Sequence, residues 1–114
     1  MPLLSIETNH ALPPDAAEAL LVAASRRLAE LLGKPERYVM VRLTHNPMMR
    51  FGGSAAPLAY LECKSLGLPE QRTTELSAAL CELLADHAAI PAARIYIEFA
   101  APQRHLWGYD GATF

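Results

Sequence analysis

The chain reads as one unit written twice, and no other feature limits its possible folds as much. Pro2-Leu3-Leu4-Ser5-Ile6-Glu7 resembles Pro57-Leu58-Ala59-Tyr60-Leu61-Glu62, and Lys34-Pro35-Glu36-Arg37-Tyr38-Val39 resembles Ile90-Pro91-Ala92-Ala93-Arg94-Ile95. Each hexamer is followed by a turn, a helical stretch, a proline-bearing loop and a second strand-like run. Two β-α-β units follow, about 1–45 and 57–100, joined by the Gly- and Pro-containing stretch from about Asn46 to Ala56. At 114 residues they make one domain, 1–114. The expected class is α+β in two layers: a four-stranded sheet with two helices on one face, plus a short C-terminal strand.

The first helix has a start and a stop. Pro13-Pro14 breaks the preceding strand, Asp15 is placed to cap, and Glu18 completes an Asp-x-x-Glu box. Leu21, Ala24, Leu28, Leu31 and Leu32 form its apolar stripe, and Gly33 suits the position after its last turn. The second helix runs from about Thr73, with Leu76, Leu80, Leu83 and Leu84 on one face. The strands alternate, so that Leu4, Ile6, Val39, Val41, Leu43, Ala59, Leu61, Cys63, Ile95, Ile97 and Phe99 make an apolar face for the helices to cover. The opposite face carries Leu3, Ser5, Glu7, Tyr38, Met40, Arg42, Tyr60, Glu62, Lys64, Tyr96 and Glu98. It is neither dry enough for a core nor polar enough for open water. With 52% hydrophobic and 19% charged residues, the chain as a whole is apolar for a soluble monomer. Both observations point to an oligomer in which this mixed face packs on neighbouring copies and lines a polar site.

Several function classes are excluded. A net charge of −2 gives no basic footprint for nucleic acid. The longest apolar run is far short of a membrane span, and no basic-then-apolar leader opens the chain. Cys63 and Cys81 have neither metal nor redox spacing and read as free thiols of a cytoplasmic protein. The histidines at 10, 45, 87 and 105 show no ligand spacing, so no metal is expected. Gly52-Gly53 follows Phe51 but leads into no Gly-Lys-Ser, and reads as loop punctuation rather than a phosphate cradle.

One candidate for chemistry stands out. Pro2 follows the initiator methionine, which methionine aminopeptidase normally trims before a small residue, leaving a secondary amine on a rigid ring. An α-amine titrates near ~8, and burial lowers that value because the charged form loses its hydration. A neutral amine of this kind can act as a general base. In a right-handed β-α-β unit the helix returns the chain to the start of the first strand, which puts Lys34 near Pro2. If the two units pair antiparallel, Ser65-Leu66 reaches the same corner. Plainer roles are open to each residue. Met-Pro openings occur without chemical significance, and Lys34 suits the end of a helix dipole. Tyr38 and Tyr96 fit ordinary strand positions at an interface, and Trp107-Gly108-Tyr109 fits a docking tail.

Taken together, these residues resemble the macrophage migration inhibitory factor and D-dopachrome tautomerase family, of the tautomerase superfamily. The resemblance spans essentially the whole chain. Its anchors are Pro2, Gly33-Lys34-Pro35 with Tyr38, Phe51-Gly52-Gly53-Ser54, Ser65-Leu66-Gly67, Arg94-Ile95-Tyr96-Ile97 and Thr113-Phe114. It implies a homotrimer with active sites at the subunit interfaces and a cofactor-free keto–enol tautomerase of the phenylpyruvate or dopachrome type. The substrate class is a small enolisable α-keto acid or aromatic compound. In that frame Pro2 matches the catalytic base and Lys34 the substrate-binding lysine. Leu66 matches a residue contributing its backbone amide, and Tyr96 a tyrosine from an adjacent subunit. Tyr38, Ser65, Trp107, Tyr109 and Phe114 would complete the pocket. Glu98 stands where mammalian members have an asparagine, a departure that leaves two roles open to its carboxylate, contact with the substrate or a salt bridge within the trimer. The redox cysteines of those members correspond to Leu58 and Leu61, so no thiol oxidoreductase role is implied. The rival reading within the family is a cytokine-like signalling protein with a vestigial pocket, released without a signal peptide.

Overall fold

The computed structural model describes every residue from Met1 to Phe114. Strands β1 (Pro2–Thr8), β2 (Met40–His45), β3 (Ala59–Ser65) and β4 (Ile95–Ala100) form one sheet in the order β2-β1-β3-β4. β1 lies parallel to β2 and β3 parallel to β4, while β1 and β3 meet antiparallel at the centre. Helix α1 (Pro14–Leu32) links the first parallel pair and α2 (Thr73–Ala88) the second. The single C-terminal strand expected is in fact a hairpin of two, β5 (Gly108–Tyr109) and β6 (Ala112–Thr113). It turns on Asp110 and Gly111, whose φ values of 51° and 76° suit the tight two-residue turn that joins antiparallel strands. No helix is long and apolar enough to cross a membrane.

The period-two pattern sorts the strands as expected. Pro2, Leu4, Ile6 and Thr8 of β1 and Ala59, Leu61, Cys63 and Ser65 of β3 point into the core, while the residues between them are only half-buried. On the edge strands, Val41, Leu43, Ile97 and Phe99 are half-buried against the same core. The stripe of α1 is the expected one at Ala24, Leu28 and Leu31, with Leu20 rather than Leu21 as its first fully buried residue. Leu20 is fully buried with Ala24, Leu28 and Leu31, and Leu21 lies half-buried beside Val39 and Val41. On α2, Leu76, Ala79, Leu80 and Leu84 face inward and Leu83 flanks them.

The start of α1 differs from the capping box. Pro13 occupies the cap position and Pro14 the first helical position, and no side-chain capping bond forms. A proline at the first position has no N–H to satisfy and a preset φ, so the helix begins before Asp15. The Pro13 carbonyl accepts the Ala17 N–H at 2.9 Å. Asp15 falls inside the first turn, where its charge suits the dipole, and Glu18 is left a full turn along.

The two halves superpose in kind as well as in order. Each has a buried strand, a helix ending in a left-handed residue, a proline, a 3₁₀ turn (Glu36–Tyr38 and Ala92–Arg94) and a second strand. The register, however, makes Pro2 the counterpart of Ala59. Pro2 pairs with Ser65 and Thr8 with Ala59, about a midpoint where Ser5 faces Glu62. The hexamer match of Pro2 with Pro57 is therefore slipped by two residues. A slip of two preserves which side chains face inward, so alternation cannot detect it.

The left-handed residue ending α1 is Gly33 (φ 63°), but α2 ends on Ala89 at φ 54°. That conformation costs an L-residue about 1–2 kcal/mol, part of which glycine returns by its freer unfolded chain. Ala89→Gly is expected to stabilise the fold by about 0.5–1 kcal/mol. The urea midpoint at fixed protein concentration checks it, and a lower midpoint in the variant would contradict the assigned strain.

Candidate active site

Three independent pieces of backbone deliver residues to the start of β1. The antiparallel register sets Pro2 opposite Ser65, so β3 ends there and passes into Leu66 and Gly67. Proline brings no N–H to that last rung, so the ladder opens where the chain begins. The parallel register sets Leu3 beside Met40, which brings the loop before β2, with Tyr38, to the same edge. The third piece is the end of α1. There Gly33 N–H donates to the Glu30 carbonyl at 3.3 Å and Lys34 N–H to the Ala29 carbonyl at 3.0 Å, the paired bonds of a Schellman cap. Arg72 adds a clasp from the other half, its Nη1 donating to the Leu31 carbonyl at 3.0 Å. Lys34 thus leaves the helix from a fixed backbone, and its Nζ lies 3.9 Å from where a β-carbon on Gly67 would stand. That is ordinary contact distance, so the ammonium lies against residue 67, whose φ of 65° itself favours glycine.

Pro2 itself is fully buried. As the chain is written its nitrogen is the amide of Met1, and the free amine belongs to Met1. Burial holds that amine below its ordinary value of 8.0, and the positive charges of Lys34 and then Arg104 press it lower still. Both cations therefore lie close enough to act on the chain end. Ser65 is buried with its hydroxyl donating to the Leu66 carbonyl at 3.1 Å, and Leu66 is buried beside it.

An aromatic wall stands next to these groups. Tyr38 meets Tyr109 edge-on at 5.5 Å, Tyr109 stacks on Phe114 at 5.8 Å, and the Arg37 guanidinium covers Tyr38 at 4.7 Å. The C-terminal hairpin is thereby anchored to the loop that carries Lys34. Trp107 takes no part in this stack. It is half-buried, and its carbonyl accepts the Phe114 N–H at 3.3 Å, closing the base of the hairpin.

Tyr96 and Glu98 are not brought to the corner. Tyr96 is level with Tyr60 and hence with Glu7, five residues along β1 from Pro2, roughly 17 Å away along the strand. It also lies two strands across, about 10 Å more. Glu98 stands directly opposite Glu62 on the open face, and Lys64 is bound to Glu62 at 3.1 Å. The carboxylates gather on one phenol: Tyr60 is pushed up, first by lost hydration and then by Glu98 and Glu62. A single chain therefore keeps Tyr96 and Glu98 apart from the corner residues, Glu98 level with the middle of the seam and Tyr96 toward its other end.

The largest concavity, about 790 Å³, lies elsewhere. It is a groove between α2 and β4 lined by Thr73, Ser77, Cys81, Ala85, Ile95 and Phe99, and it contains none of the corner residues. Both cysteines are free. Burial pushes the Cys63 thiol up to about 11 and raises Cys81 as well, so neither is an activated nucleophile. Of the corner residues, sequence reasoning missed Arg104, which lies in the 3₁₀ turn Arg104–Leu106 after β4 and has no local signature.

The whole chain, residues 1–114, matches the family model described as macrophage migration inhibitory factor. A macrophage migration inhibitory factor homolog of Brugia malayi is 38% identical over 116 aligned positions, covering 100% of this chain and 99% of that protein. The crystal structure of a macrophage migration inhibitory factor homologue from Prochlorococcus marinus is similar at 43% identity and a TM-score of 0.92, over 98% of each chain. The macrophage migration inhibitory factor of Toxoplasma gondii is similar at 34% identity and a TM-score of 0.92, over 98% of this chain and 99% of that one.

Because Lys34 and Arg104 both depress the chain-end amine, neutralising either is expected to raise its pKa toward the ordinary value. Titration of the amine by NMR in Lys34→Gln and Arg104→Gln checks this. An unmoved or lowered value in either variant would take that cation out of the corner.

Proposed function

The chain belongs to the macrophage migration inhibitory factor family, and on that premise we propose that it is a keto–enol tautomerase whose base is the amine of Pro2 once Met1 has been removed. The observation that carries this reading is the convergence of Pro2, Ser65-Leu66 and Lys34 at a chain end where burial and two cations depress an amine. The same burial and the same cations act on whichever amine ends the chain there. A depressed amine is neutral near pH 7 and holds a lone pair for proton abstraction, and matching its pKa to the working pH is typically worth ~10²–10⁴-fold.

In the proposed cycle the Pro2 nitrogen takes a proton from the α-carbon of a keto acid and returns it to the enolate oxygen, or runs the sequence from the enol. Atoms balance, since one proton moves between two sites of one molecule. The Lys34 ammonium faces the substrate carboxylate or the developing enolate, with the Leu66 amide beside it; donors set in place before charge develops need no reorganisation during the step. Tyr38, Tyr109 and Phe114 offer a flat apolar wall for an aromatic substituent. Tyr96 and Glu98, held away from the corner on β4 of their own sheet, are supplied in this reading by a second copy in a homotrimer. The half-buried, mixed sheet face supports such an assembly.

Phenylpyruvate enol–keto conversion tests the proposal. Pro2→Gly is expected to lose about 10²-fold or more in kcat/KM, and Lys34→Ala about 10–100-fold. Unchanged rates in Pro2→Gly would remove the base. For the wild type, activity should rise with pH through an ionisation below that of an ordinary α-amine, because the neutral form is the active one and the corner disfavours the charged form. Intact-mass measurement should show a chain beginning at Pro2, and a retained Met1 in an active protein would overturn the mechanism.

The aromatic wall yields a further contrast. Tyr109→Ala is expected to raise KM for phenylpyruvate about fivefold, and Trp107→Ala to leave it within about twofold, because only Tyr109 joins the stack. The reverse order would transfer the wall to Trp107.

A further inference from the structure

Two motifs have no part in the corner, Phe51-Gly52-Gly53-Ser54 and Arg94-Ile95-Tyr96-Ile97, and one side chain ties them together. Arg94 forms no ion pair with a carboxylate, and its donors go to backbone carbonyls instead. Nη1 donates to Phe51 at 2.7 Å, Nη2 to Ser54 and to Ala56 at 3.0 Å each, and Nε to Pro57 at 3.4 Å. The guanidinium also lies 5.2 Å from the centre of the Phe51 ring. The loop is closed on itself, with the Phe51 and Ser54 N–H groups each donating to the other residue's carbonyl at 3.0 Å. Its turn runs through Gly52 and Gly53 at φ 58° and 75°. The result of this clamping is a ring contact: Phe51 meets Tyr96 at 4.5 Å, tilted by 44°. Tyr96 is otherwise a 67% exposed side chain on an edge strand.

We propose that Arg94 is a positioning residue for the tautomerase site: it holds Phe51 against Tyr96 and so fixes the ring that β4 presents to a neighbouring copy. This rests on the reading of Tyr96 as a substrate wall given above. A free tyrosine on an open edge loses rotamer freedom when a ligand packs on it, and a ring already held avoids that cost. The device requires arginine. Its planar fork serves four carbonyls in different directions, whereas a lysine ammonium is a point charge on a flexible stem.

The test uses the full chain in its assembled form, with hydrogen exchange at the Phe51 and Ser54 amides as a readout independent of turnover. Arg94→Lys is expected to speed exchange at both amides and to raise KM for phenylpyruvate about fivefold, with kcat within about twofold. Phe51→Leu keeps the carbonyl clamp and removes the ring contact; it should give the same rise in KM without faster exchange at Ser54. Added to Tyr96→Ala, Arg94→Lys should raise KM no further, because the ring it orients is gone. Unchanged exchange in Arg94→Lys, or KM effects that multiply in the double variant, would overturn the proposal. If Arg94→Lys speeds exchange while Tyr96→Ala leaves KM unchanged, the clamp stands but Tyr96 is no substrate wall, and the positioning role falls with it.

Discussion

The antiparallel seam between β1 and β3 is the interaction on which the other features depend. It is the only antiparallel pairing in the main sheet, and it joins two halves that are otherwise parallel pairs with a crossover helix. Its register, Pro2 opposite Ser65, decides that the end of one unit meets the beginning of the other. A slip of one residue along this seam would turn Leu4 and Ile6 outward and carry the backbone at Ser65-Leu66 away from Lys34. The buried stripes on both helices make such a slip costly. Core packing therefore holds the corner in place.

Electrostatics at the corner follows from what the seam collects. An amine partly stripped of its water and with two cations near it is poorly placed to carry its own charge. The same arrangement favours an anion in front of the amine, so one set of charges both disfavours the charged amine and attracts negative charge. The middle of the open sheet face has a different character. Glu62 and Glu98 face each other, Lys64 pairs with Glu62 alone, and like charges directly opposite in a sheet repel.

Much of this was legible in the sequence, for reasons that can be named. The strand faces were, because alternation along Leu4-Ser5-Ile6 or Ala59-Tyr60-Leu61 has one interpretation once a core is assumed. The corner was, because crossover topology and the antiparallel join place Lys34 and Ser65 without any knowledge of side-chain packing. What escaped was either degenerate or long-range. The two-residue slip of the repeat escaped because it leaves the pattern intact, and the early start of α1 because Pro14 pre-empts a cap at Asp15. Arg104 and Arg94 act on residues far away in the chain, through contacts that no local pattern encodes. The hairpin was within reach: Asp110-Gly111 is a strong turn signal between short strands.

The duplication also has a counterpart to the active corner, at the other end of the seam where Thr8 meets Ala59. There the equivalent of Lys34 is Ile90, fully buried, and the equivalent of the chain end is Ala59, whose nitrogen is locked in a peptide bond. No proteolytic trimming of the N-terminus can expose it. Two units that were separate chains would each possess a terminus, whereas a fused pair possesses one. Fusion in a single polypeptide thus costs this architecture half of its possible bases. It also released the second corner from any need for solvent, which matches a greasy isoleucine plug where the first corner holds an ammonium.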